Sequence, residues 1–323
     1  MDLSVIFKPI SQEMAQVEER LTQELHAEDQ PLADLTAHVA AYRGKRIRPA
    51  LVLFSGRCMG EVSQEHVELA VAMELIHTAT LVHDDILDSA SLRRNSPTVN
   101  VKWGPDVAVM LGDFLLTRAF ALIAAFKSGE ITRQLLRTTQ IMCEGEIRQL
   151  HRRYALDLGE HEYLGIIERK TASLCSACCK LGALCSQSVN GFAEDLARYG
   201  ANLGIAFQIV DDCLDITGKE EKIGKTLYTD LEKGKLTLPM IRFVGLAPAG
   251  SRERLKAVLF GGSAKDAIAQ LMPALKKCQA FEYALGRANE YVETAKRHLR
   301  RFSASVFRDG LTALADYVLA RER

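Results

Sequence analysis

Residues 64–90 read QEHVELAVAMELIHTATLVHDDILDSA and decide the fold. Their apolar side chains recur at intervals of three and four residues, which is the spacing of one buried helix face. The same spacing continues outward in both directions, with strong helix formers between the apolar positions. It predicts an all-α protein, with helices at about 3–26, 31–42, 48–59, 64–90, 106–127, 130–153, 160–186, 192–217, 237–246, 252–260, 264–274, 278–300 and 304–321.

The breaks between these predicted helices are short. Pro31, Pro49, Pro105 and Pro239 stand where the first turn of a helix tolerates a missing amide. The one long polar stretch, residues 218–235, is followed by more helical pattern and has no linker composition. We therefore expect residues 1–323 to form a single domain, although a length of 323 divided by about 150 residues per domain suggests two.

Composition excludes several classes of protein. The chain has 41 Lys plus Arg and 41 Asp plus Glu, so it lacks the basic excess typical of nucleic-acid binders. It shows neither a secretory signal nor the ~18 uninterrupted apolar residues of a transmembrane segment, which predicts a cytoplasmic protein. Four clustered cysteines, Cys175, Cys178, Cys179 and Cys185, lack the paired spacing of a zinc site, and we interpret them as small core residues.

Two aspartate motifs carry the first functional signal. Asp84-Asp85-Ile86-Leu87-Asp88 and Asp211-Asp212-Cys213-Leu214-Asp215 each follow a long apolar helical run. Residues four apart share a helix face, so the outer aspartates of each motif point together. An N-terminal cap or a solvated acidic face is the simpler alternative for one motif, but two copies favour a joint magnesium site. Magnesium takes one or two carboxylates with water and substrate phosphate oxygens.

Local positive charge complements the aspartates. The segment from Arg43 to Pro49 reads RGKRIRP, and Arg93-Arg94 follows the first motif closely. We interpret Lys45, Arg48, Arg93 and Arg94 as ligands of a diphosphate, and Arg43 and Arg46 as a solvated surface. Lys170, Lys225 and Lys235 add single charges.

Seven segments together identify a family resemblance. They are GKRIRP, HTATLVHDDILDSASLRRNSPT, GDFLLTRAF, EGEIRQL, ERKTASL, FQIVDDCLD and DLEKGKLTLP. In this order and spacing the chain resembles the trans-isoprenyl diphosphate synthases, and most of all their long-chain, octaprenyl diphosphate synthase branch. The resemblance implies a single large helical bundle around a central apolar tunnel. It also implies magnesium-dependent condensation of isopentenyl diphosphate with an allylic diphosphate such as farnesyl or geranylgeranyl diphosphate.

The resemblance also implies a role for each matching residue. Asp84 and Asp88 would bind two magnesium ions, and Asp211, helped by Asp212 and Asp215, a third, with Asp85 in support. The positions that match the isopentenyl diphosphate site are Lys45, Arg48, His77 and Arg94. Those that match the allylic diphosphate site are Arg93, Lys170, Thr171, Gln208, Lys225 and Lys235, and Lys170 is counted with the six aspartates as catalytic.

Three residues beside the first motif need separate interpretation. His77 lies seven residues before Asp84, two turns back on one helix face, so it can reach the same cavity. His83 is interpreted as a buried structural histidine. Asn95 departs from the family pattern, which has glycine there, but asparagine tolerates left-handed backbone, so we expect the turn to survive.

Product length should depend on how far an apolar tunnel runs beneath the first motif. One turn before Asp84 stand Ala79 and Thr80, both small, where short-chain relatives carry bulky aromatic residues. The next turn back offers Ile76 and Ala72 and no aromatic residue. We therefore predict a long product of about C35 to C40. A shorter product, C20 to C25, is the alternative, and Ile141 and Met142 are an alternative tunnel floor.

Three other functions compete with this hypothesis. His77 and His83-Asp84 are compatible with an HD-type metal phosphohydrolase, which leaves the second motif unexplained. A class I terpene cyclase leaves the basic residues without a second diphosphate, and a regulatory subunit would be expected to lose catalytic aspartates. By resemblance we expect a homodimer, with residues 112–126 (GDFLLTRAFALIAAF) as the candidate interface.

Overall fold

The computed structural model describes residues 2–42, 44–186, 191–218, 227–247 and 252–321. Helices make up 79% of the structure, so the predicted all-α fold is confirmed. Among the described residues, strand pairing is confined to one hairpin of two-residue strands, Leu92–Arg93 and Ser96–Pro97, here β1 and β2. The predicted apolar tunnel stays a prediction.

The helices in the first half of the chain agree with the apolar periodicity, with one break and one addition. They are α1 Leu3–Ile6, α2 Ser11–Glu24, α3 Gln30–Ala40, α4 Ile47–Met59, α5 Gln64–Leu87, α6 Val99–Trp103, α7 Pro105–Ala124 and α8 Gly129–His151. The single helix predicted over 3–26 was wrong, because a 3-10 turn at Lys8–Ile10 separates α1 from α2. Pro9 causes this break, since it lacks an amide hydrogen and has a restricted φ.

The second half begins with a long helical run that changes pitch. Helix α9, Glu160–Ile167, continues through a π-helical turn at Glu168–Ala172 into α10, Ser173–Cys185. The remaining helices are α11 Phe192–Thr217, α12 Thr229–Glu232, α13 Leu238–Leu246, α14 Arg252–Phe260, α15 Ala264–Lys277, α16 Ala280–Leu299 and α17 Val306–Ala320. The predicted bounds of 192–217 and 252–260 are confirmed.

Packing contacts divide the chain into two compact units. The first contains Met1–Arg137, Cys175–Gly200 and His298–Leu314, and the second contains Thr138–Leu174, Ala201–Arg297 and Ala315–Arg323. The expectation of a single domain over residues 1–323 stays a prediction.

The core of the first unit is built around α5, which packs against α2, α4 and α7. Most apolar side chains of α4 and α5 are fully buried, and each such Leu, Ile or Met contributes roughly 1.5–3 kcal/mol. Gly182 of α10 lets the backbone of α4 approach closely, because a Cβ there would lie 2.4 Å from the Val52 carbonyl oxygen. This packing holds the end of α5, and with it the first aspartate motif, against a rigid core.

The clustered cysteines belong to the core of the first unit. Cys175, Cys178, Cys179 and Cys185 are all buried. Burial raises the pKa of the Cys185 thiol to about 12 and raises that of Cys178 well above its ordinary value. They therefore remain neutral thiols, as expected of small core residues.

In the second unit, α13 packs against α9 and α15, and α12 contacts α14 and α15. The Arg287 guanidinium and the Tyr283 hydroxyl on α16 both donate to the carboxylate of Glu160 on α9. These contacts hold α9 and the π-helical turn that follows it.

Helix α7 is the one described helix long and apolar enough to cross a membrane, judged by length and composition alone. Only 39% of its most apolar stretch is buried inside the structure. A core helix of a soluble protein passes the same test, so the expectation that the chain has no transmembrane segment stays a prediction.

Candidate functional site

The first aspartate motif lies at the carboxyl end of α5. Asp88 caps this helix, and its amide donates to the Asp84 carbonyl at 2.8 Å. The side chains of Asp84 and Asp88 are half-buried. Because a helix carboxyl end already carries partial negative charge, carboxylates placed there are stabilised by a cation. The location therefore favours cation binding by these two aspartates.

The middle aspartate of the first motif has a different environment. Asp85 is only 2% exposed, and Arg93 of β1 donates to it through Nε at 3.1 Å and through Nη2. Burial raises the pKa of the Asp85 carboxyl, and the bond to Arg93 opposes that rise. Asp85 thus ties the hairpin to α5, and its predicted supporting role at a metal stays a prediction. Arg93, predicted to bind the allylic diphosphate, is engaged by Asp85 in this structure.

The hairpin places the second arginine of the pair. Its two-residue turn is Arg94-Asn95, with φ values of 52° and 63°. Two successive left-handed residues form the turn type that suits the twist of a tight hairpin, and asparagine is favoured there. The expectation that Asn95 preserves the turn is confirmed. The Arg94 guanidinium then donates to the Tyr42 carbonyl at 2.6 Å.

The charges of four guanidinium groups act on His77. Desolvation, followed by the charges of Arg48, Arg94, Arg93 and Arg46, lowers the pKa of His77 well below 6.5. Arg48 also has a buried Nε that meets no hydrogen-bond acceptor within the described parts of the chain. Lys45 precedes this group in the loop before α4 and is exposed. The charges of Arg48 and Arg94 thus act jointly on His77, which suits an anion, and the predicted ligand role of these residues stays a prediction.

Arg46 was predicted to be a solvated surface residue, and this was wrong. Its side chain is 16% exposed and donates to Glu18 of α2 at 2.5 Å and to Glu74 of α5 at 2.7 Å. Glu74 is buried, so a cation beside it removes the cost of an unpaired buried carboxylate. Arg46 therefore anchors the loop that carries Lys45 and leads into the first turn of α4, where Arg48 lies.

The second aspartate motif lies on the last turns of α11. Asp211 is half-buried and accepts from Arg321, which follows α17, at 3.0 Å. The Arg321 guanidinium also lies 4.2 Å from the ring centroid of Phe207. Asp215 is 1% exposed, and its two oxygens accept from the Thr229 hydroxyl at 2.9 Å and the Asp230 amide at 3.2 Å.

Asp212, the middle residue of the second motif, has neutral partners. It is 5% exposed and accepts from the Tyr163 hydroxyl at 2.6 Å and from the Gln208 amide at 2.8 Å. Burial, followed by the charge of Asp230, raises the pKa of Asp212 well above its ordinary value. Burial and the neighbouring Asp212 also raise the pKa of Tyr163, so its hydroxyl remains a donor.

The π-helical turn carries two further predicted residues. Lys170 forms an ion pair with Glu146 and donates to Gln149 at 3.0 Å, while the Thr171 hydroxyl donates to Gln208 at 2.9 Å. Gly145 of α8 permits this approach, since a Cβ there would lie 2.6 Å from the Lys170 amide nitrogen. Turns of this kind within α-helices occur frequently at functional sites.

The remaining predicted site residues are two lysines near the second motif in sequence and three residues of α5. Lys235 is 8% exposed, and its amide donates to the Asp230 carbonyl at 2.8 Å, which places it beside the second motif. Lys225 lies outside the described residues. Ile76 and Ala79 are fully buried on α5, and the Thr80 hydroxyl donates to the His77 carbonyl. Their effect on product length stays a prediction.

His83 has a structural environment. Its Nε2 lies 3.1 Å from the Val109 carbonyl oxygen, and its ring lies against Gly112 of α7. This contact ties α5 to α7, but the side chain is 30% exposed, so the prediction that His83 is buried was wrong.

Sequence reasoning missed four partners of the predicted residues, namely Tyr163, Glu146, Gln149 and Arg321. Glu146 and Gln149 stand in the EGEIRQL segment that carries part of the resemblance, so their position was a usable signal. Tyr163 and Arg321 belong to no such segment.

The carboxylates of Asp84, Asp88 and Asp211 are hard oxygen donors and fit magnesium. Within the described residues, no three carboxylate, histidine or cysteine side chains converge as a preformed metal cage. Magnesium uses few protein ligands and completes its shell with water and substrate phosphate.

Comparison with known proteins agrees with the fold and the motifs. The sequence profile of the polyprenyl synthetase family matches residues 29–275. Heptaprenyl diphosphate synthase component 2 of Geobacillus stearothermophilus is 36% identical over 326 residues, and octaprenyl diphosphate synthase of Escherichia coli is 30% identical over 323; each match covers 100% of both chains.

A solved structure gives the same result. The polyprenyl synthase of Caulobacter crescentus, complexed with calcium and isoprenyl diphosphate, superposes with a TM-score of 0.94 at 32% identity, covering 100% of this chain and 98% of that one. Members of the family are magnesium-dependent and act on isopentenyl and allylic diphosphates. The relatives make products from C20 to C50. The chain therefore belongs to the polyprenyl synthetase family and is a transferase with trans-prenyl diphosphate synthase activity.

Proposed function

We propose that this enzyme condenses isopentenyl diphosphate with an allylic diphosphate, farnesyl or geranylgeranyl diphosphate, to give an all-trans product of about C35 to C40. One observation carries the assignment of the site. Four guanidinium groups act on His77, and the same helix ends in Asp84 and Asp88. Cationic forks beside clustered carboxylates are the complementary halves of a metal-diphosphate site.

In the proposed reaction, the C–O bond of the allylic diphosphate breaks and the diphosphate leaves with the electron pair. The double bond of isopentenyl diphosphate then forms a C–C bond to the allylic carbon. The resulting cation loses a proton, which the released diphosphate accepts. The protein supplies no nucleophile, so its residues act by holding charge and position.

The basic residues hold the two diphosphates. The isopentenyl diphosphate is assigned to Lys45, Arg48, His77 and Arg94, and the allylic diphosphate to Arg93, Lys170, Thr171, Gln208, Lys225 and Lys235. A neutral His77 suits this role because it can donate one hydrogen bond without adding to the cost of packing cations together. The ion pairs of Lys170 and Arg93 keep these side chains oriented for the ligand.

Magnesium would be held at about three places, two at Asp84 and Asp88 and one at Asp211, helped by Asp212 and Asp215. When bound, it supplies charge neutralisation for the departing diphosphate. The calcium and isoprenyl diphosphate bound to the Caulobacter crescentus relative support this assignment.

The direct test is an assay with radiolabelled isopentenyl diphosphate and farnesyl diphosphate, with magnesium or with EDTA. We expect label to enter an organic-soluble product only when magnesium and both substrates are present. An HD-type phosphohydrolase would instead release phosphate without prenyl transfer, and that result would contradict the proposal.

The proposed product length rests on the small or aliphatic side chains of Ala79 and Ile76 in the buried part of α5. Replacing Ala79 with Leu and then Phe should shorten the product stepwise as side-chain volume increases. Chromatography of the dephosphorylated products would measure this change, and the melting temperature of each variant would control for misfolding. An unchanged product distribution in a folded Ala79→Phe variant would place the floor elsewhere, for example at Ile141 and Met142.

We also propose a cytoplasmic homodimer whose second copy covers the outer face of α7. Val109 is 43% exposed and Met110 65% exposed, and Met110 borders a pocket of about 280 Å³ between α3 and α7. Exposed large apolar side chains that cluster on one face mark interaction surfaces. The family resemblance and the apolar length of α7 support a second copy as the occupant.

Light scattering after size-exclusion chromatography tests the dimer. Val109→Glu with Met110→Glu should convert the protein to a monomer. Leu246→Glu is the matched control, since Leu246 is 54% exposed on α13, and it should remain a dimer. A wild-type monomer in the assay buffer would contradict the proposal.

A further inference from the structure

Tyr163 makes a buried contact with the second aspartate motif that no sequence motif indicates. Its side chain is 4% exposed, and its hydroxyl donates to Asp212 Oδ2 at 2.6 Å. Tyr163 lies on α9, whereas Asp212 lies on α11, 49 residues later in the chain. The contact therefore joins two helices that are distant in sequence.

Two neutral donors satisfy the buried Asp212 carboxylate. Tyr163 donates to one oxygen, and Gln208, one turn earlier on α11, donates to the other at 2.8 Å. A buried carboxylate without such donors costs several kcal/mol, so both bonds hold this side chain in place. The Asp212 carboxylate, held by these two bonds, therefore stabilises the local structure.

The same contacts form a closed ring with the π-helical turn. Thr171 donates to Gln208 Oε1 at 2.9 Å, Gln208 donates to Asp212, and Tyr163 donates to Asp212. Tyr163 and Thr171 are themselves joined through the continuous run of α9 and the π-helical turn. The ring thus fixes the rotation of α11 relative to the segment that carries Lys170.

Rotation of α11 decides where Asp211 points. Adjacent residues on an α-helix are about 100° apart, so an inward Asp212 sets the direction of its neighbour. Asp211 is the more exposed carboxylate of this pair, at 30%, and is the one able to meet a cation from solvent.

We propose that Tyr163 is a positioning residue that holds Asp212 and thereby aims Asp211 at the metal. In this arrangement Asp212 helps as a support, and its oxygens do not bind the metal. The inference rests on the proposed function of Asp211 and adds the residue that orients it. Partners that orient metal ligands commonly contribute 10–100-fold to metal affinity.

The test compares two tyrosine variants. Tyr163→Phe removes the hydroxyl beside Asp212. Tyr199→Phe removes an equally buried hydroxyl, since Tyr199 is fully buried and donates to the Leu311 carbonyl at 2.7 Å in the first unit. Both substitutions should lower the free energy of unfolding in urea by a similar amount. The two variants are then matched in their loss of stability.

Magnesium binding separates the two variants. Calorimetric titration of Mg²⁺ into protein with inorganic pyrophosphate should show affinity reduced about tenfold in Tyr163→Phe and unchanged in Tyr199→Phe. Equal affinities in the two variants would overturn the inference. If wild-type protein itself fails to bind Mg²⁺ with pyrophosphate and fails to transfer prenyl groups, the proposed function fails instead.

A second variant keeps the test valid if Tyr163→Phe does not fold. Asp212→Asn retains the shape and can still accept from Tyr163 but loses the bond from Gln208, because its amide nitrogen cannot accept, so we expect its magnesium affinity to fall by less than that of Asp211→Asn. Asp211→Asn should lose at least tenfold, as expected for a ligand. Equal losses in Asp212→Asn and Asp211→Asn would show that Asp212 is a ligand and would overturn the inference.

Discussion

The two aspartate motifs have the same spacing and both bury their middle residue, but with opposite kinds of partner. Asp85 is paired with the guanidinium of Arg93, whereas Asp212 is paired with the neutral hydroxyl of Tyr163 and the amide of Gln208. Arginines surround the first motif and lower the pKa of His77. Around the second, burial and Asp230 raise the pKa of Asp212. The same sequence pattern thus gives its middle aspartate a cationic partner in the first motif and neutral partners in the second.

The contrast shows how each motif depends on its partner. Removing one member of a buried ion pair leaves an uncompensated charge, which costs about 3–5 kcal/mol. Removing a neutral donor costs about 1–3 kcal/mol. We therefore expect removal of the partner of Asp85 to lower the free energy of unfolding more. We expect removal of the partner of Asp212 to lower magnesium affinity more.

The largest expected effect is on the first motif. Asp84→Ala with Asp88→Ala removes both half-buried carboxylates from the carboxyl end of α5, and prenyl transfer should fall by at least about a thousandfold. Incorporation of radiolabelled isopentenyl diphosphate measures the loss. Asp34→Ala, at an exposed position on α3, should retain wild-type turnover. Near-normal turnover in the double variant would contradict the assignment.

The second-largest expected effect is the loss of stability when the partner of each buried middle aspartate is removed. Arg93→Ala should lower the free energy of unfolding by about 3–5 kcal/mol, because Asp85 is left buried and charged. Tyr163→Phe should lower it by about 1–3 kcal/mol. Urea denaturation measures both, and adding Asp85→Asn to Arg93→Ala should restore part of the loss. Equal losses in the two single variants would remove the distinction between charged and neutral support.

A smaller effect is expected at Arg321. Its guanidinium lies 3.0 Å from Asp211 Oδ1 and competes with a cation for that oxygen. Arg321→Gln should therefore tighten the binding of Mg²⁺ alone by about two- to fivefold, as for a partly exposed ion pair. Calorimetry without pyrophosphate measures this. Arg297→Gln, an exposed change of the same charge on α16, should leave the affinity as it is; weaker binding in Arg321→Gln would show that the arginine assists the metal.

The smallest effect is the titration of His77. Its pKa lies well below 6.5 in the folded protein, so the unfolded chain takes up the proton first as pH falls through 6.5. His77 therefore contributes stability above that pH and loses it in more acidic solution. Histidine-labelled NMR spectra should show a neutral ring at pH 7, and inorganic pyrophosphate should raise its pKa. A charged ring at pH 7 would contradict the basic environment of the first motif.

Local pattern was enough to predict much of this molecule. The apolar spacing placed α11 at its observed bounds, and the spacing of the aspartates placed each motif on a helix end. The hairpin at Leu92–Pro97 and helix α6 were missed, because strands of two residues and a helix of five are too short to show a period. The π-helical turn was also missed, since its pitch change leaves no distinct signature in composition.

The partners of the motifs were harder to predict for a different reason. Tyr163 is 49 residues from Asp212, and Arg321 is 110 residues from Asp211, so tertiary packing alone brings them together. Arg46 was misjudged because two carboxylates, Glu18 and Glu74, meet it from separate helices. A single sequence gives the residues but does not show which of them come into contact in the folded protein.

The Arg46 contacts also have a consequence for truncated or tagged forms of the protein. Glu18 on α2 is one of the two anchors of the loop that carries Lys45 and leads to Arg48 in α4, so shortening the amino-terminal region would loosen a loop that lies well downstream in sequence. A bulky fusion tag that displaces α2 would act in the same way. Reduced activity in such a protein would indicate a disordered phosphate-binding loop, even though every residue assigned to the chemistry is still present.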